Sequence, residues 1–361
     1  MGFELRGGWG VKVNETIEAM RDQWKSMTSM AGMFIMTIVL GITIQPVWNR
    51  DEVRAFGAEG TTQSGYIFLE LMLIGVFTFV IIWLARKNFE IIIKGFIMFS
   101  LYFALIYVVG PYLALILELT MGTQANAFTI AFGLNLALMI TLWRYPEWYI
   151  VNLVGVLVGS GVITMIGISF VPTLIIIFMI CAAIYDHWAV NGSKHMLELA
   201  DTMIELKLPI LLVAPKEKGY TFLEEKGDMM KKPVEKPSQE DWDDPKTNPK
   251  EAPKGGRDAL FMGLGDVIFP GMLVISTLSF LPESGGELTS FFGTIYFDPL
   301  VVALGTLFGG LMGYLGLMTQ VAKGKPQAGL PLLNGGAIIG YLISGIIVFG
   351  PSKLIQEISL F

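Results

Sequence analysis

Cysteine occurs once in this chain of 361 residues, and histidine twice. The lone Cys181 excludes an intrachain disulfide and any cysteine-built metal centre. His187 and His195 are too few to build the metal site of a metalloprotease, so no metal and no cofactor is expected. Charge is scarce too: 16% of residues carry it, where a soluble globular protein has roughly one quarter. No cleavable leader is expected either. The first 26 residues hold four basic side chains and no apolar core, and the apolar run that follows is too long for a signal segment.

What remains is apolar: 53% of residues are hydrophobic and mean hydropathy is +0.60. The apolar residues come in blocks of span length, about 20 residues each. Nine blocks stand out, at 27–47, 66–85, 91–116, 124–143, 149–168, 170–190, 258–281, 298–320 and 329–350. The expectation is an all-α membrane protein with nine transmembrane helices. The third block continues beyond one upright span, so it tilts, bends near Gly110-Pro111 or runs past the membrane surface.

Orientation follows from where Lys and Arg fall. Alternate connections of a nine-span chain hold 22 on one side and 3 on the other. Leaving out the twelve in the long polar segment still gives ten against three. The N-terminus is therefore expected in the cytoplasm and the C-terminus outside.

The polar segment divides the chain. Residues 1–26 read as a cytoplasmic arm, 27–190 as a six-helix front part and 258–361 as a three-helix back part. Between them, 191–213 reads as an amphipathic interfacial extension, with Met196, Leu197, Leu199, Met203 and Ile204 at helical spacing. Residues 214–257 are rich in Lys, Glu, Asp and Pro and cannot bury enough apolar area to order themselves. They read as a disordered cytoplasmic linker, either a plain tether or a regulatory or self-cleaved loop.

An ionised side chain deep in a bilayer is costly and marks function by default. Glu70 and Glu118 sit near span ends and reach the headgroups, and Asp298 before Pro299 reads as a helix cap. Asp186 and Asp266 are different. Each lies inside an apolar block, toward the side that the charge count makes cytoplasmic. Two carboxyls meeting in a low-dielectric site share one proton, so one serves as acid and the other as base. That is the chemistry of an aspartic protease. Gly263 and Gly265 flank Leu264 just before Asp266 and suggest close helix packing or a loosened backbone.

Tyr185-Asp186 in one span and Gly263-Leu264-Gly265-Asp266 in the next resemble the two signatures of the intramembrane aspartyl proteases of the presenilin and signal peptide peptidase family. A third family signature, Pro-Ala-Leu, is matched in part by Ala328-Gly329-Leu330-Pro331 at the start of the last block. The charge count makes the chain similar to the presenilin branch, in a compact microbial, archaeal-like form. The resemblance implies Asp186 and Asp266 as the catalytic pair. It implies Tyr185, Gly263, Leu264, Gly265, Ala328, Gly329, Leu330 and Pro331 as residues that shape the site or bind substrate in extended form. It implies single-span membrane proteins as substrates, the lipid bilayer as surroundings, no nucleic acid, no required accessory subunit, and self-association left open. The location is the cell membrane for a prokaryotic chain and endomembranes for a eukaryotic one. The alternative is a proton- or ion-coupled transporter using the same aspartates. No internal repeat relates the six-span front to the three-span back.

Overall fold

In the computed structural model of the chain, the described residues are 7–57, 59–87, 89–189, 210–216, 219–222, 259–321 and 328–359. Among them run nine α-helices: α1 (Gly7–Trp48), α2 (Ser64–Arg86), α3 (Glu90–Met121), α4 (Ala127–Arg144), α5 (Trp148–Gly167), α6 (Pro172–Trp188), α7 (Leu264–Phe280), α8 (Phe297–Val321) and α9 (Leu330–Phe349). Six are long and apolar enough to cross a membrane: α1 from Gln23, α3 from Ile91, α4, α5, α8 and α9. The long block three is one unbroken helix containing Pro111, and Gly122 ends it in the left-handed region at φ 66°. The amphipathic stretch 193–206 and most of the proposed linker lie outside the described residues.

The two helices that carry the aspartates are short. α6 and α7 have 17 residues each, or roughly 26 Å of helix against a hydrocarbon core of about 30 Å. α6 opens on Pro172, whose missing N–H is no loss at a first helical position. α7 is short because the apolar block before it is not helical. Ala259–Gly263 forms strand β2, which pairs antiparallel with β1 (Leu211–Pro215). A second hairpin, β3 (Glu287–Ser290) with β4 (Gly293–Tyr296), lies between α7 and α8.

These strands correct three expectations. The fold is mostly helical but not all-α. Residues 211–215 belong to a strand, so neither the interfacial extension nor the linker has the expected boundary. The expected span 258–281 is a strand followed by a shorter helix. Both strands are short apolar runs, and such runs do not reveal their period.

The β1–β2 sheet is buried on both faces. Leu211, Val213 and Ala259 join an apolar cluster with Ile93 and Ile97 of α3, Met139 of α4 and Val151, Val154 and Val158 of α5. Leu212, Ala214, Leu260 and Met262 join another with Phe34 and Ile38 of α1, Val274 of α7 and Leu307 of α8. The alternation of side chains along a strand thus divides one small sheet between two cores. The ladder ends in the bond from the Leu264 N–H to the Ile210 carbonyl, 2.8 Å, which fastens the first residue of α7 to the base of β1.

α8 and α9 make the closest helix pair. Gly305, Gly309 and Gly313 of α8 face Gly336 and Gly340 of α9. A Cβ on Gly309 would stand 2.8 Å from the Gly340 Cα, and one on Gly313 would stand 2.9 Å from the Leu333 Cα. Small residues four apart let two backbones touch where lipid supplies no hydrophobic drive for association. This seam presents the start of α9 to the starts of α7 and the end of α6.

Candidate active site

Three helix ends converge here. Asp186 lies two residues before Trp188, the last residue of α6, and is 5% exposed. A carboxylate there faces the negative end of the α6 dipole and needs a donor. α9 supplies it: the Leu330 N–H donates to Asp186 Oδ2 at 3.2 Å, and the Gly329 N–H also points at this carboxylate. The first N–H groups of any helix have no partner within it. Asp186 therefore caps α9 from another helix. Pro331, the next residue, has no N–H to satisfy.

Asp266 sits in the first turn of α7, three residues after its N-cap Gly263. The Gly263 N–H donates back to the Asp266 carboxylate, half of the reciprocal arrangement of a capping box. Asp266 was expected eight residues into a span. The strand β2 moves it to the helix start, where the positive end of the dipole favours a negative charge by about 0.3–1 kcal/mol.

Gly329 brings the two carboxylates together. Its N–H faces Asp186, and a Cβ on it would stand 2.8 and 2.9 Å from the two Asp266 oxygens. Asp186 and Asp266 are close enough for direct electrostatic interaction. Two positive helix ends, of α7 and α9, and one negative end, of α6, meet at this point. Such a pair accommodates one negative charge and one shared proton.

The other expected residues surround the pair unevenly. Gly263 closes β2, and Gly265 faces open space, where a Cβ would meet nothing within 4 Å. Leu264 is buried and packs over Gly159 of α5, anchoring the turn from below. Ala328, Gly329 and Leu330 are buried at the head of α9, with Pro331 partly so. Tyr185 is 41% exposed, its ring 6.2 Å from that of Trp188, on the open side of α6. Asp298 stands in the first turn of α8, accepts the Ser284 hydroxyl at 2.7 Å and latches the loop after α7. Among the described residues no cluster of three or more His, Cys, Asp or Glu side chains gathers for a metal.

Reading for charge inside the apolar blocks missed three buried polar residues. Asn334, one turn into α9, donates to the Met179 carbonyl of α6 at 2.9 Å and gives that helix pair a second tie. Asn152 of α5 grips β1. Glu147, the N-cap of α5, accepts the Thr221 hydroxyl and the Phe222 N–H, the latter at 3.1 Å. Their common signal is an uncharged amide, or a carboxylate at a block edge, within apolar sequence.

Comparison with known proteins agrees with this geometry. The sequence matches the family described as signal-peptide peptidase, presenilin aspartyl protease over residues 31–350. Two crystal structures of a presenilin family intramembrane aspartate protease, in space groups C222 and P2, are similar in fold. The first is 25% identical, with 89% of this chain and 99% of that one covered and a TM-score of 0.57. The second is 25% identical, with 88% and 97% covered and a TM-score of 0.54. No curated protein sequence matches significantly. A family match across 31–350, on a fold that brings Tyr185-Asp186 and Gly263–Asp266 together, leads to one conclusion: this multi-pass membrane chain belongs to the signal-peptide peptidase and presenilin family and is an aspartic endopeptidase.

Proposed function

We propose that the chain hydrolyses peptide bonds of single-span membrane proteins inside the bilayer, with Asp186 and Asp266 as a general acid–base pair. The observation that carries this reading is the head of α9, where consecutive residues touch both carboxylates: Leu330 bonds Asp186 and Gly329 lies against Asp266.

The ionised member of the pair removes a proton from water, and the resulting hydroxide adds to the scissile carbonyl carbon. The protonated member gives its proton to the carbonyl oxygen. The tetrahedral diol collapses, the C–N bond breaks, and a proton passes to the leaving nitrogen. Which aspartate begins as the base is a property of the pair, since coupled carboxyls titrate together.

A helical substrate must be unwound before its carbonyl is reachable, because its backbone groups are bonded within the helix. β2 runs straight into Gly263 and supports docking of an extended segment beside the pair. Val213 turns its N–H and carbonyl away from β2, toward Asn152. Phe261, its register partner, therefore turns its own pair away from β1. No hydrogen bond among the described residues occupies that edge of Phe261. Open space at Gly265 leaves room for the substrate chain.

The chain crosses the membrane nine times in this reading, with the N-terminus and the polar connection after α6 in the cytoplasm and the C-terminus outside. Lys and Arg placement supports that orientation. The aspartate pair then faces a water-filled cleft on the cytoplasmic side. Single-span substrates enter from lipid, without cofactor or accessory subunit. The transporter alternative has no observation in its favour.

The test is cleavage of a purified single-span substrate in detergent by wild type, Asp186→Ala and Asp266→Ala. The expected result is cleavage by wild type alone. Cleavage at the wild-type rate by either variant defeats the reading. Absence of cleavage together with aspartate-dependent ion flux in liposomes supports the transporter instead.

A further inference from the structure

Asn152 is a buried amide four residues after the start of α5, on a helix that contributes no residue to the aspartate pair. Its Nδ2 donates to the Val213 carbonyl at 2.7 Å, and its Oδ1 accepts the Val213 N–H at 2.8 Å. Both polar groups of one strand residue are thus held by one side chain, as a neighbouring strand would hold them. Val213 lies at the centre of β1, opposite Phe261.

The sheet needs such a hold. Its two faces are apolar and packed between two cores, and apolar contact has no preferred position along the strand. A shift by one residue reverses every side chain, but a shift by two keeps each face in its own core. The Asn152 amide discriminates between those positions. A two-residue shift one way brings Pro215 opposite the amide, and proline has no N–H to give. A shift the other way brings Leu211, whose register partner is Gly263 at the root of α7. Only Val213 offers both groups without moving that root.

From Val213 the position is passed on through few steps. β1 is laddered to β2, the Ile210 carbonyl holds the first N–H of α7, and Asp266 follows Leu264 by two residues. We propose that Asn152 is a positioning residue of the protease: it sets β1 in register against α5 and thereby fixes where Asp266 and the substrate-pairing edge of β2 stand relative to Asp186. This rests on the proteolytic reading above.

The experiment compares wild type, Asp266→Ala, Asn152→Leu and Asn152→Ser on a single-span substrate in lipid vesicles. It reads the masses of all products together with kcat and KM. Ser276→Ala is the control for simple loss of a buried bond. Its hydroxyl donates to the Phe170 carbonyl at 2.6 Å, toward the far end of α7. Asn152→Leu is expected to lower kcat by up to about 100-fold, the cost of misplacing a reacting group by about 1 Å, with KM changed less. Its products are expected to spread from the dominant bond to neighbouring bonds. Asn152→Ser, with one hydroxyl for two partners, gives a smaller change in the same direction and carries the test if the leucine variant does not fold. Ser276→Ala keeps the wild-type product pattern. Wild-type products and wild-type kcat per folded molecule from the Asn152 variants overturn the proposal while leaving the proteolytic reading intact. Equal cleavage by wild type and Asp266→Ala defeats the proteolytic reading itself.

Discussion

The aspartate end of α9 and its glycine face are joined by different forces. Along the face, Gly336 and Gly340 meet Gly309 and Gly313 backbone against backbone, with no side chain between them. At the head, the Leu330 and Gly329 N–H groups meet Asp186, and Gly329 lies against Asp266. In a bilayer, burial from lipid into protein exchanges one apolar surface for another and places nothing by itself. Close backbone contact holds the seam. Free helix-end groups, which must find partners, hold the site. Stability therefore concentrates at the seam and chemistry at the helix ends, and the two should respond separately to substitution.

The largest separation is expected from Asp186→Ala and Asp266→Ala. Each removes one half of an acid–base pair, so peptide hydrolysis should fall by about 10³-fold or more, measured as product formed per hour. The seam is untouched, and the thermal transition in detergent should persist. Gly329→Val tests the head of α9 without removing a carboxylate. Its side chain must displace the Asp266 oxygens, and kcat should fall by about 10²-fold while stability changes little. Gly309→Val tests the opposite case. Overpacking should cost about 1–3 kcal/mol in denaturant titration, with a smaller loss of turnover per folded molecule. If Gly309→Val abolishes turnover in a protein of wild-type stability, the division between seam and site is wrong. The smallest effect is expected from Gly133→Ala on α4, a helix packed on α3 and α5, away from both seam and site. A Cβ there meets nothing within 4 Å, so turnover should stay within about twofold and helix propensity should add up to about 1 kcal/mol.

The two aspartates and their flanking signatures were legible because carboxylates are rare in apolar blocks and every one stands out. The partial third signature was legible too, although only the fold shows why glycine at 329 suits this chain: it lies against Asp266. The strands were not legible. Leu211–Pro215 and Ala259–Gly263 are buried on both faces, so neither alternates, and the second merges with the apolar block that follows. That is why Asp266 looked like a residue eight positions into a span and proves to stand in the first turn of a helix. Asn152 was missed because a search for charge passes over an amide, although a buried amide must also find partners. At the near edge of the expected linker, Ser26 of α1 donates to the Pro215 carbonyl, and Tyr220 and Phe222 pack into the core around α3 and α5.

The central claim is that Asp186 and Asp266 act as one unit across the ends of α6 and α7. Labelling with a photoreactive, hydroxyl-bearing transition-state analogue that recognises paired aspartates tests it most directly. Wild type should bind one analogue per chain, and both Asp186→Ala and Asp266→Ala should lose labelling by a factor of about 100 or more, since analogues bind about 10²–10⁸-fold tighter than substrates. Retained labelling in either single variant would contradict the account.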